Sequence, residues 1–177
     1  MTLKPKIAQY VADIIAALQN AGYEAYIVGG AVRDFLLDRQ PKDYDLSTSA
    51  TPEEIKKVFR KQRCMIIGRR FRLVHLYHGK EILEISTFRK KPEHLAPAPE
   101  KMNPDKAAAA PENMIFRDNE FGTVQEDAWR RDFTVNALFY DPVNDKIHDY
   151  TGLGLEDIRN GVVRIIGEPV TRLEEDP

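Results

Sequence analysis

The stretch from Tyr26 to Ser47, YIVGGAVRDFLLDRQPKDYDLS, constrains this chain more than any other. Tyr26-Ile27-Val28 is a short apolar run of the kind that forms a buried strand. It stops at Gly29-Gly30. Val32, Phe35 and Leu36 then mark one face of an amphipathic turn, which Pro41 breaks. A second short strand is expected to carry Asp43 and Asp45, with Tyr44 between them, so that alternation places both acids on one side. Two carboxylates that close repel unless a cation lies between them, and a divalent ion with oxygen ligands is the obvious candidate. Paired glycines at a helix start expose backbone N–H groups that favour a phosphate. Either feature alone is common in solvated turns. Their order, their tight spacing and the addition of Arg33 one helical turn after the glycines point to chemistry on a nucleotide.

The flanking sequence supplies elements to carry this stretch. Ile7, Val11, Ile14, Ile15 and Leu18 recur at helical spacing after Pro5, and Gly22 ends that helix. Thr51, Pro52 and Glu54 form a helix start with a capping box, and Ile55, Val58 and Phe59 give its buried stripe. Three strands follow, at Cys64–Gly68, Leu73–Tyr77 and Ile82–Phe88, with Gly79 as a hairpin turn. Glu84 is an acid inside the last β-prone run. It is an exposed strand position by default, and a third carboxylate if its strand lies beside the Asp43–Asp45 strand. From Arg89 to Asn113 periodicity disappears among lysines, prolines and the run Ala107 to Ala110, which reads as a mobile surface loop. Thr123 and Glu126 form a second capping box, and the helix that they open runs toward Arg130-Arg131-Asp132. In RRDFTVNAL, Phe133, Val135 and Leu138 are core candidates. The planar guanidinium forks suit phosphate, with Asp132 and Asn136 placed to fix sugar or phosphate. Lys146–Asp149 is a further short strand.

Composition narrows the function classes. A formal net charge of −2 gives no global pull toward nucleic acid, so any RNA grip is local or lies elsewhere. Cys64 is the single cysteine, which excludes an internal disulfide or a cysteine-based zinc site. The 4 histidines lack metal-ligand spacing, and His75 and His78 read as structural. With 177 residues the chain is long enough for one domain with a core. No signal-like or membrane-spanning apolar run is present, and a cytoplasmic location is expected.

GGAVRD followed by DYD resembles the signature of the DNA polymerase beta nucleotidyltransferase superfamily. The resemblance is to the branch that holds bacterial poly(A) polymerases and CCA-adding enzymes, and RRDFTVNA follows in that branch's order. It implies an α+β (mixed α/β) fold, a nucleotidyltransferase head with a small mixed β-sheet backed by helices over residues 1–169. It also implies a short helix at Leu155–Asn160, a strand at Val162–Ile166, and residues 170–177 as the start of a neck cut off within its base-reading helix. The implied reaction is attack of an RNA 3′-hydroxyl on the α-phosphate of ATP, with pyrophosphate leaving. Two Mg²⁺ ions would be bound by Asp43, Asp45 and Glu84. Gly29, Gly30, Arg33, Arg130, Arg131, Asp132 and Asn136 would hold the nucleotide, Asp132 counting as catalytic too. The RNA grip is expected from missing C-terminal domains. IIGRRFRLVHL and IFRDNEFGTVQEDAWRRD are similar to the poly(A) polymerase form of these segments. A CCA-adding tRNA nucleotidyltransferase is the alternative, and a non-catalytic nucleotide- or RNA-binding fragment is the alternative of another class.

Overall fold

The computed structural model describes residues 7–68, 72–90 and 120–169. The expectations for 69–71, 91–113 and 170–177 lie outside those residues.

Helix α1 (Gln9–Asn20) buries Val11, Ile14, Ile15 and Leu18, the stripe that its spacing predicts. Strand β1 (Ala25–Val28) is buried at every position. It is buried throughout because the sheet has a core on each face. Ala25 and Ile27 enter the larger cluster with α1 and helix α2 (Gly30–Leu36), while Tyr26 and Val28 enter a smaller one with Phe88, Val124, Ala128 and Phe139. The remaining strands are β2 (Asp45–Thr48), β3 (Cys64–Ile67), β4 (Leu73–His78), β5 (Glu81–Thr87), β6 (Leu138–Asp141) and β7 (Lys146–Asp149). They form a 7-stranded sheet in the order β3-β4-β5-β2-β1-β6-β7. Every neighbouring pair is antiparallel except β2 with β5. A parallel pair requires a long crossover; helix α3 (Pro52–Val58) and the β3–β4 hairpin provide it. Both capping boxes form as expected, Thr51 with Glu54 on α3 and Thr123 with Glu126 on helix α4 (Val124–Trp129).

Three expectations need correction. The strand expected to carry both Asp43 and Asp45 begins at Asp45, leaving Asp43 in the approach to it. The ladder with β1 closes at Val28↔Asp45 because β1 itself ends at the Gly29 turn. Val162–Ile166 makes only an isolated bridge, Phe133↔Ile165. Its partner turns at once into a 3-10 segment, Thr134–Asn136, which cannot continue a ladder. Arg89, expected in a surface loop, is 3% exposed and bridges Phe121.

Helix α5 (Gly154–Asn160) packs so tightly on the 3-10 segment that a Cβ on Gly154 would lie 2.6 Å from the Thr134 carbonyl oxygen and 3.0 Å from Leu138 Cδ2. Backbone cannot yield as a side chain tip can. Gly154→Ala is therefore expected to lower stability by about 1–3 kcal/mol, the usual cost of overpacking. A urea midpoint unchanged by this substitution would show that α5 can shift freely.

Candidate active site

The parallel β2–β5 pair decides where the acids lie. Asp45 and Glu84 are direct Cα partners across it, so the two strands present these carboxylates side by side. The Asp45 carboxyl is pushed above the ordinary range, first by desolvation and then by the charges of Asp43 and Glu84, with Arg131 opposing. Asp43 is thus felt electrostatically although it lies outside the strand. Glu84 is exposed, and its Oε1 lies 3.3 Å from Nε2 of His75, its cross-strand partner on β4. Among the described residues, no three His, Cys, Asp or Glu side chains already converge as a ready-made metal cage. The donor chemistry does fit a hard divalent ion. All three candidate ligands are carboxylates, and their mutual repulsion at Asp45 is what such a charge relieves.

A cationic cradle stands beside the acids. Gly29 has φ +67°, a conformation that L side chains rarely adopt, and a Cβ there would lie 3.7 Å from Arg131 Nη1 and 4.0 Å from Asp45 Oδ2. At Gly30 a Cβ would lie 3.5 Å from Arg33 Nη2. Arg33 Nη1 donates to Asn136 Oδ1 at 2.9 Å, and Arg33 Nε donates to Asp34 Oδ1 at 2.9 Å. Helix α2 and the 3-10 segment are thereby tied over the glycine turn. Gly29, Gly30, Arg33, Asp45, Arg131 and Asn136 lie close together in the fold. Arg130 lies one residue from this group with its Nε on Asp127. Asp132 is exposed, and its carbonyl accepts from the Ile166 N–H at 2.8 Å.

Asp127 is the residue that the sequence reading passed over. It is fully buried, and it accepts from Arg131 Nη2 at 2.9 Å, Arg130 Nε at 3.1 Å and the Arg89 N–H at 3.1 Å. Ser47 Oγ donates to its Oδ2 at 3.5 Å. Burial raises its carboxyl, yet the charges of Arg131 and Arg130, together with the hydrogen bonds from Arg131 and the Arg89 N–H, outweigh that and hold it below the ordinary value. A usable signal was present: an acid three and four residues before two arginines on a helix sits on their face.

The seven-stranded, mostly antiparallel sheet with its helices matches the fold of a nucleotidyltransferase head. Comparison with known proteins agrees. Poly(A) polymerase I of Haemophilus influenzae is 47% identical over 165 residues, 93% of this chain and 35% of that protein. The CCA-adding enzyme of Lactobacillus helveticus is 39% identical over 163 residues, 92% of this chain and 36% of that protein. Among solved structures, the Bacillus stearothermophilus CCA-adding enzyme in complex with CTP superposes with a TM-score of 0.72 at 33% identity, over 95% of this chain and 35% of that one. The chain belongs to the family of the Poly A polymerase head domain, which matches residues 25–164. It spans about a third of the length of the curated relatives it matches. No described helix is long and apolar enough to cross a membrane.

Proposed function

We propose that this chain is the catalytic head of a template-independent RNA nucleotidyltransferase, a poly(A) polymerase that transfers AMP from ATP to RNA 3′ ends. The observation that carries the reading is the Asp45–Glu84 pairing in parallel register, set against the Gly29 turn and Arg131. Two Mg²⁺ ions held by Asp43, Asp45 and Glu84 would supply charge stabilisation at the attacking hydroxyl and along the triphosphate. The backbone of Gly29 and Gly30, with Arg33 and Arg131, holds the phosphates by charge-assisted hydrogen bonds. Asn136 steadies Arg33 in that grip, Arg130 adds positive charge behind Arg131, and Asp132 meets the ribose. Glu84 lies on the far side of Asp45 from the cradle, which suits it to the incoming RNA end in this reading. The 3′-hydroxyl gives its proton to solvent as its oxygen bonds to the α-phosphorus, the bond from that phosphorus to the bridging oxygen breaks, and pyrophosphate leaves.

Residues 1–169 form the head in this reading, with 170–177 leading into a neck. The grip on RNA is supplied by the parts of the relatives that this chain does not match. The setting is cytoplasmic, where ATP and RNA ends meet. Higher identity to a poly(A) polymerase than to a CCA-adding enzyme, 47% against 39%, supports AMP transfer over CCA addition. Primer extension with one nucleotide at a time tests the choice. Incorporation from ATP alone is expected. Equal incorporation from CTP would favour the CCA-adding alternative, and a folded protein that binds nucleotide without turnover would favour the non-catalytic binding alternative.

A further inference from the structure

We infer that Asp127 is a positioning residue for the triphosphate: it sets the plane of the Arg131 guanidinium against the Gly29 turn and registers it with both acid-bearing strands. The inference rests on the nucleotidyltransferase reading above.

The contacts of this one carboxylate lead to both acid-bearing strands and to the arginine pair. Ser47, which donates to it, stands two residues after Asp45 on β2. The Arg89 N–H, which also donates to it, lies two residues past the end of β5, the strand of Glu84. Arg130 and Arg131 donate to its two different oxygens, Oδ1 and Oδ2. The Arg131 guanidinium is therefore held on one edge by Asp127 and on one face by the Phe139 ring, whose centroid lies 5.0 Å from Cζ. That leaves Nη1 beside the Gly29 turn, 3.5 Å from the Asn136 carbonyl oxygen. A planar fork fixed in this way meets a phosphate with little further loss of side-chain freedom.

Two adjacent guanidiniums repel, and Asp45 attracts the nearer one. A buried negative charge between them lets both point the same way and keeps Arg131 from closing onto Asp45. Asparagine in this place has the same size but one acceptor oxygen, and its NH₂ would face an arginine N–H. Asp127→Asn thus removes the orienting function while nearly keeping the volume.

The test is calorimetric titration of the chain with Mg²⁺–ATP, alongside primer-extension kinetics in the full-length protein. Asp127→Asn is expected to weaken Mg²⁺–ATP binding about tenfold or more and to raise the KM for ATP by a similar factor, with the KM for RNA unchanged. In an Arg131→Ala background the same substitution should change binding less than twofold, because its effect runs through Arg131. Wild-type affinity in Asp127→Asn, or an equal and additive loss in the Arg131→Ala background, would overturn the proposal while leaving the nucleotidyltransferase reading intact. Absence of any triphosphate binding by the wild-type chain would overturn both. Should Asp127→Asn fail to fold, the Arg131 side-chain Nε resonance of the wild type decides. Slow guanidinium rotation before nucleotide is added supports positioning, and free rotation overturns it.

Discussion

Asp45→Asn is expected to lower nucleotide transfer by about 10³-fold or more while leaving the chain at least as stable as the wild type. Losing about 4 kcal/mol of charge stabilisation at the reacting phosphate is enough for a factor of that size. The stability half of the expectation comes from the raised Asp45 carboxyl, which burial, Asp43 and Glu84 all disfavour as a charge. A carboxyl whose folded value lies above its unfolded one binds its proton more tightly in the native state. Stability then falls as pH rises from the unfolded value through the raised one. Without divalent ions the wild type should therefore lose stability over that interval, and Asp45→Asn should lose less. Urea titrations in chelator at acidic and neutral pH measure the difference. Adding Mg²⁺ should recover stability in the wild type and not in the variant, a result independent of turnover. Full activity in a well-folded Asp45→Asn protein would sink the proposed mechanism.

Gly29→Ala carries the next largest effect. The residue sits at φ +67° and ψ −136°, where an L side chain costs about 1–3 kcal/mol. The new methyl would also stand between Arg131 Nη1 and Asp45 Oδ2, in the space where a phosphate must approach. Adding the loss of one charge-assisted hydrogen bond, worth about 1.5–3 kcal/mol, predicts about tenfold to 100-fold weaker Mg²⁺–ATP binding together with a lower melting temperature. Gly30→Ala is the comparison, since Gly30 starts α2 and its Cβ would meet only Arg33 atoms, the nearest at 3.5 Å. Equal losses at both positions would mean that the cradle depends on the turn as a whole and not on the approach at Gly29.

How much of the site could be read in advance varied with the range of the interaction. Gly29, Gly30 and Arg33 are neighbours in the chain, and a strand–turn–helix unit brings them together through local geometry alone. Both capping boxes were legible for the same reason, as Thr and Glu three residues apart close on themselves. The side of the strand on which Asp43 falls was not legible, because β1 sets the start of β2 by ending at its own turn. Val162–Ile166 had the composition of a strand, but its partner coiled into a 3-10 turn after Phe133, and one bridge was all that could form.

By itself the sequence determined most of the helices and strands, the order of the motifs and the family to which they belong, because these rest on periodicity, turn chemistry and residue identity over a few positions. The tertiary structure alone decided that β2 and β5 run parallel with Asp45 opposite Glu84, residues 39 positions apart in the chain. It alone also buried Asp127 and added Arg89 and Ser47, distant in the chain, to the Arg130 and Arg131 that its spacing already offered. Sheet pairing and burial are properties of distant segments packed together. A buried charge declares its partners only when the fold has removed the water around it.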